Sequence, residues 1–192
     1  YTCLGNGQFR FTLVTYRDCM GIAWNQNAVQ LQGPVSATLS LVSAQDITAR
    51  CATAGTFACD PPTTGSGTAG ATAKFVYSGV VNLSSLGPTP LNGYTFWVAF
   101  PCCRPSLQNI IGGELALTVK MRRYTHPVSG QILTPAQLCD NSPEFLTDPT
   151  SIGEIRLGDT LRLQNLATDP DGDVVLHAID FPLSNFLAPY AY

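Results

Sequence analysis

Hydrophobic and polar residues alternate over several stretches of this chain. Phe9, Phe11, Leu13 and Thr15 interleave with Arg10, Thr12, Val14 and Tyr16, the two-residue period of a strand with one buried face. The same period recurs at Val35, Ala37, Leu39 and Leu41, at Tyr94, Phe96, Val98 and Phe100, and at Leu115, Leu117, Val119 and Met121. Residues 74–83 predict a further strand. Gly and Pro punctuate the gaps at Gly33-Pro34, Asp60-Pro61-Pro62, Gly87-Pro88 and Pro101. No long helical period occurs; residues 134–138 predict a single helical turn, capped by Thr134 with Pro135 at its first position. Many strands with turn-rich joints predict an all-β fold, a β-sandwich of immunoglobulin-like topology.

The pattern changes at Cys139-Asp140-Asn141-Ser142-Pro143. Residues 1–139 read as the sandwich and residues 140–192 as a second, short immunoglobulin- or cadherin-like β unit. Its strands are expected at 152–157, 160–166 and 173–179, with Val174 and Leu176 sharing a face. About fifty residues is short for an independent sandwich. The second unit is therefore expected to be truncated or to be completed by a neighbour.

Composition narrows the class. Charged residues make up 12% of the 192 residues, with a net charge of −3 and no basic run longer than Arg122-Arg123. A nucleic-acid partner is not expected from such a chain. No apolar run approaches the roughly 20 residues that span a bilayer, and the chain opens on Tyr1 with no signal peptide, so a processed protein or a fragment is expected. Residues 63–73, rich in Gly, Ala and Thr, read as a surface loop, because no Gly-Lys-Ser/Thr closes them as a phosphate cradle would require.

Seven cysteines, Cys3, Cys19, Cys51, Cys59, Cys102, Cys103 and Cys139, show no metal-ligand spacing. They predict disulfides and an oxidising, extracellular or cell-surface location. Adjacent Cys102 and Cys103 can hardly bond each other without straining their peptide, so each is expected to staple one strand end to a different part of the fold. Cys51 and Cys59 bracket a short turn and are expected to pair locally.

An ordered set of motifs spans nearly the whole chain: Tyr1-Thr2-Cys3-Leu4-Gly5-Asn6; Tyr16-Arg17-Asp18-Cys19; Cys102-Cys103-Arg104 with Asn109-Ile110; Cys139 with Asn141-Ser142-Pro143 and Phe145; and Ala167-Thr168-Asp169-Pro170-Asp171-Gly172-Asp173. In this order the set resembles a module of the large secreted surface proteins of gliding Bacteroidota, among them gliding-motility-associated adhesins exported by the type IX secretion system. The resemblance implies a repetitive, β-sandwich-rich protein at the cell surface, with neighbouring repeats or subunits of the same protein and surface glycans as partners. Two departures stand out. The family often carries a cysteine near Ile155 or Arg156, absent here, and a short strand ahead of the position of Tyr1. Read with the family signature, Cys3 and Cys19 are the expected partners of Cys102 and Cys103, and Cys139 is left over as an odd thiol.

Candidate chemistry is sparse. Asp169, Asp171 and Asp173 place three carboxylates at a spacing suited to calcium; the turn resembles those of bacterial cadherin-like repeats, where the ion stiffens junctions. Equally open is a plain β-turn, set by Pro170 and Gly172, in which the Asp side chains cap nearby amides. Arg17 and Arg104 stand near half-cystines, and either can pair with Asp18 to pin a corner. No nucleophile and base accompany such ion pairs; His126 reads as loop and His177 as a strand residue. Trp97, on the strand face opposite Tyr94, Phe96 and Val98, is the candidate for stacking on a sugar, with Trp24, Tyr94, Tyr124, Tyr190 and Tyr192 as further aromatics. Asp159-Thr160-Leu161 resembles the O-glycosylation sequon of Bacteroidota and marks Thr160 as a site of modification. The expected function is a non-enzymatic structural or adhesive module of a surface filament; the alternative is a carbohydrate-binding module of a secreted enzyme.

Overall fold

The computed structural model describes residues 1–21, 23–48, 59, 71–100, 115–146 and 167–176. These residues form nine strands and no helix: β1 (Thr2–Gly5), β2 (Gln8–Asp18), β3 (Ala28–Leu31), β4 (Ala37–Asp46), β5 (Thr72–Asn82), β6 (Tyr94–Phe100), β7 (Leu115–Met121), β8 (Glu144–Phe145) and β9 (Ala167–Thr168). All pairings are antiparallel. The first five strands make one sheet in the order β1-β2-β5-β4-β3; β6 pairs with β7, and β8 with β9.

β2 and β5 form the centre of the large sheet, in unbroken register from Gln8↔Asn82 to Asp18↔Thr72. Their inward residues Phe9, Phe11, Ala73, Phe75, Tyr77 and Val81 are buried. The layer beneath is β6, which contributes Phe96, Val98 and Phe100. Ring contacts join the layers: Phe11 lies 4.8 Å from Phe96, and Trp24 lies 5.3 Å from Phe100 and 6.1 Å from Phe75. The Trp24 indole N–H donates to the Tyr77 hydroxyl, which itself donates to the Gln26 carbonyl at 2.9 Å. Each polar tip of these buried aromatics therefore keeps a partner, as burial demands.

Beyond β3 the chain changes layers. Gln32 exchanges two backbone hydrogen bonds with Trp97 of β6, at 2.8 and 2.9 Å. This approach needs Gly33, because a Cβ there would sit 2.7 Å from the Phe96 ring and 3.0 Å from the Thr95 carbonyl. At the other edge, the turn Asn6-Gly7 joins β1 to β2 with both residues at positive φ, 53° and 75°. This is the backbone of a two-residue hairpin turn favoured by Asn-Gly.

The expected turn forms over residues 134–138: the Gln137 and Leu138 amides both donate to the Thr134 carbonyl, and the Gln137 side chain accepts from the Thr134 amide and hydroxyl. Three expectations are corrected. Residues 173–176 belong to no strand, and Val174 and Leu176 stand 87% and 85% exposed instead of sharing a buried face. Cys59 is bonded to Cys19, and not to Cys51, with Cα atoms 5.5 Å apart. Asp46 explains this geometry, since its Oδ2 accepts from the Cys59 amide at 3.2 Å and holds that residue over the end of β2. Cys139 is not an odd thiol: it is bonded to Cys3, with Cα atoms 5.2 Å apart, so neither Cys3 nor Cys19 is available to Cys102 or Cys103. Cys51, Cys102 and Cys103 lie outside the described residues, as do the strands expected at 152–157 and 160–166.

Candidate functional site

Asp140 follows the half-cystine Cys139 and is only 8% exposed. A buried carboxylate needs donors. Two phenols supply them: the Tyr1 hydroxyl donates to Oδ2 at 3.0 Å and the Tyr124 hydroxyl donates to Oδ1 at 3.2 Å. Burial pushes the Asp140 carboxyl above its usual range against the pull of the two phenol hydrogen bonds, and Asp171 and Asp169 add like-charge repulsion in the same direction. Burial likewise raises both phenols, reinforced by the Asp140 charge; Tyr124 is pushed up to about 12 and Tyr1 upward as well. The phenols are thereby kept protonated, as donors.

Asn141 extends the cluster in two directions. Its Oδ1 accepts from the Cys3 amide of β1 at 2.8 Å. Its own amide and Nδ2 donate to Asp171 Oδ2 and Oδ1, at 2.7 and 2.9 Å. Ser142 completes the contact with the first residue, its amide donating to the Tyr1 carbonyl at 2.9 Å and its hydroxyl accepting from the Tyr1 nitrogen at 2.6 Å. A cleft of about 340 Å3 opens beside this junction. Lys120 and Arg122 line it from the end of β7, and Asp169 and Asp173 line it from the turn opposite.

That turn is closed by its own groups. Asp169 Oδ1 accepts from the Asp171 amide at 2.8 Å, the Gly172 amide donates to the Asp169 carbonyl at 3.1 Å, and Gly172 adopts a φ of 83°. The structure thus forms the β-turn in which Asp side chains cap amides, with Asp171 committed to Asn141. Among the described residues no three His, Cys, Asp or Glu side chains are grouped to hold a metal ion.

The remaining candidates lie apart. Trp97 is half-buried on the outer face of β6 and faces Thr118 of β7 in register. By strand alternation its neighbours on that face are Thr95 and Ala99, while Tyr94 and Phe96 point the other way. Trp24 belongs to the core and Tyr124 to the Asp140 cluster, so these aromatics do not share a platform with Trp97. Arg17 is buried and donates to the Cys19 and Gly21 carbonyls at 3.1 and 3.3 Å, while Asp18, on the opposite strand face, accepts from the Met20 amide. His126 Nδ1 accepts from the Val128 and Ser129 amides and shapes a surface hairpin. Thr160, His177, Arg104, Tyr190 and Tyr192 fall outside the described residues.

The outer face of the five-stranded sheet is mixed: hydroxyl and amide side chains and the charged Arg10, Asp18 and Lys74 stand among the exposed apolar side chains of Leu4, Val14, Val42 and Val80. Thr12, Ser78 and Ser40 form one cross-strand row, and Tyr16, Lys74 and Gln45 another. Sequence reasoning singled out Asn141 and Ser142 only as parts of a motif and passed over Asp140, Tyr1 and Tyr124 as a cluster. Polar residues placed directly after a half-cystine and before Pro143 were the available signal. No helix among the described residues is long and apolar enough to cross a membrane. The chain matches no protein-family model, no curated protein and no solved structure.

Proposed function

We propose that this chain is a non-enzymatic structural and adhesive module of a secreted cell-surface filament, of the kind its motifs resemble in gliding Bacteroidota. The observation that carries the reading is the bracing of an all-β core by two long-range disulfides, one of which ties the first strand to residue 139. Bonds of this kind form and persist in oxidising surroundings and each typically adds about 2–4 kcal/mol to stability. The polar groups at the Asp140 junction support the same role, because they are spent on one another in joining β1, residues 139–142 and the turn at residues 169–172. The weakly charged outer face of the large sheet gives a partner hydroxyl and amide groups interspersed with exposed valines, Val14, Val42 and Val80.

Electron microscopy of native surface material, labelled with an antibody to this chain, tests the reading. Labelled fibres of repeating globular units are expected. Isolated labelled monomers that bind polysaccharide would replace it with the second reading, a carbohydrate-binding module, for which the half-buried Trp97 between Thr95 and Ala99 is the stacking residue. In that case Trp97→Ala abolishes glycan-array binding.

A further inference from the structure

Cys3 and Cys139 are separated by 136 positions and joined at a single point. The chain passes into and out of this region side by side: Tyr1 and Ser142 exchange backbone and side-chain hydrogen bonds, and the Cys3 amide donates to Asn141. We propose that this junction is a mechanical clip, which carries tension across the Cys3–Cys139 bond and leaves the strands between those two residues out of its path. The inference deepens the reading of the chain as a filament module, since it states how such a module survives pulling.

The geometry leads there directly. Tension entering ahead of Cys3 and leaving after Cys139 crosses from one backbone to the other through the two sulfur atoms, because that covalent route is far shorter than the loop it closes. The ladders β2-β5 and β4-β5 then bear no share of it, and of the β1-β2 ladder only the Thr2↔Arg10 pair, ahead of Cys3, lies in its path. Without the bond, the first element to be pulled is β1, an edge strand of four residues that meets β2 at three register positions, with a bulge between Cys3 and Gly5. Such a strand would be peeled away pair by pair, and the hairpin turn at Asn6-Gly7 would pass the pull on to β2 at the centre of the sheet. The clip therefore guards the weakest point of entry. It also keeps the large sheet's outer face in shape while the chain is under load. Cys139 is exposed, so the bond is open to reductant from solution.

Single-molecule pulling on the full chain, with handles at its two ends, tests the clip by the final contour length before and after a thiol reductant. Oxidised molecules are expected to fall short of reduced ones by the 136-residue separation, a gain of about 450–490 Å on reduction at the reach of an extended chain. The double variant Cys19→Ser/Cys59→Ser, pulled without reductant, is expected to keep the short length because the clip is intact. The double variant Cys3→Ser/Cys139→Ser is expected to lengthen without reductant. Equal final lengths for oxidised and reduced protein, or full lengthening of the Cys19→Ser/Cys59→Ser variant, would overturn the proposal. None of these readouts depends on adhesion: a chain that shows the shortfall but assembles into no fibre removes the filament reading and supports the clip.

Discussion

Asn141 holds Asp171 by two hydrogen bonds at once, from its backbone amide to Oδ2 and from its side-chain amide to Oδ1, across a sequence gap of 30 positions. The same side chain reaches β1 through its Oδ1. One asparagine thereby joins three segments. Asp171→Ala removes both acceptors; the two donors are exposed and turn to water, so the change costs the net worth of the bonds, about 1 kcal/mol. Urea denaturation of the variant is expected to show the loss, and an unchanged midpoint would mean that the 169–172 turn contributes nothing to the fold.

Calcium provides a separate comparison at the same turn. Asp169 already caps the Asp171 amide and both Asp171 oxygens already accept from Asn141. The melting temperature is therefore expected to be the same in millimolar calcium and in a calcium chelator. A rise in calcium that disappears in Asp173→Asn would instead assign the ion to Asp169, Asp171 and Asp173.

Alkaline pH acts on three phenols. Tyr1, Tyr77 and Tyr124 all have raised values in the folded protein, chiefly through burial. The unfolded chain ionises them near the ordinary phenol value of about 10, before the folded protein does. Their contribution to stability is thus complete below that value and is lost as the pH climbs through it towards the folded values, with Tyr124 at about 12. Denaturation midpoints measured between pH 8 and pH 12 are expected to fall on the alkaline side. Tyr124→Phe is expected to flatten that fall, and phenolate absorbance is expected to appear late for all three residues.

Tyr77 also works within the core. Its hydroxyl accepts from the Trp24 indole and donates to the Gln26 carbonyl. Tyr77→Phe keeps the ring and orphans both partners, at about 1–3 kcal/mol. A thermal melt should shift accordingly, and near-ultraviolet circular dichroism should report a change at Trp24.

The second bridge has its own stability signature. Cys19–Cys59 closes a 40-residue loop, which in the chain-entropy account is worth about 4 kcal/mol. Cys19→Ser/Cys59→Ser is expected to lower the unfolding free energy by an amount of that order. A loss below 1 kcal/mol would show that Asp46 and the adjoining strands hold this corner without the bond.

The long strands were legible because they bury one face. In β2, Phe9 and Phe11 alternate with Arg10 and Thr12, and the two sets end on opposite sides of the sheet. β5 and β6 announce themselves in the same way, whereas in β7 Leu117, one of the expected apolar set, is 37% exposed and Ala116, of the opposite set, is buried. β1 and β3 have four residues each, too few for a period to stand out, and β3 is held by β4 on one side and continues through Gln32 to Trp97. Val174 and Leu176 show the reverse failure, an apolar alternation without a strand partner among the described residues. The cysteines were readable as disulfides but not as pairs. Proximity in sequence favoured Cys51 for Cys59, whereas Asp46 brings Cys59 to Cys19 from the far end of β4. The Asp140 cluster was illegible for the same reason: Tyr1, Tyr124 and Asp140 meet only because Cys139 is returned to β1.

The hydrogen bond from the Cys3 amide to Asn141 has a consequence for crowding. β1 is the edge of the large sheet, and an exposed edge offers its free amides to any extended chain that drifts past. At Cys3 that amide is taken by a side chain from residue 141, and the sulfur bridge stands at the same position. An extended segment of a neighbouring molecule would find this point of the β1 border already occupied, so β1 is guarded at Cys3 against pairing with another sheet.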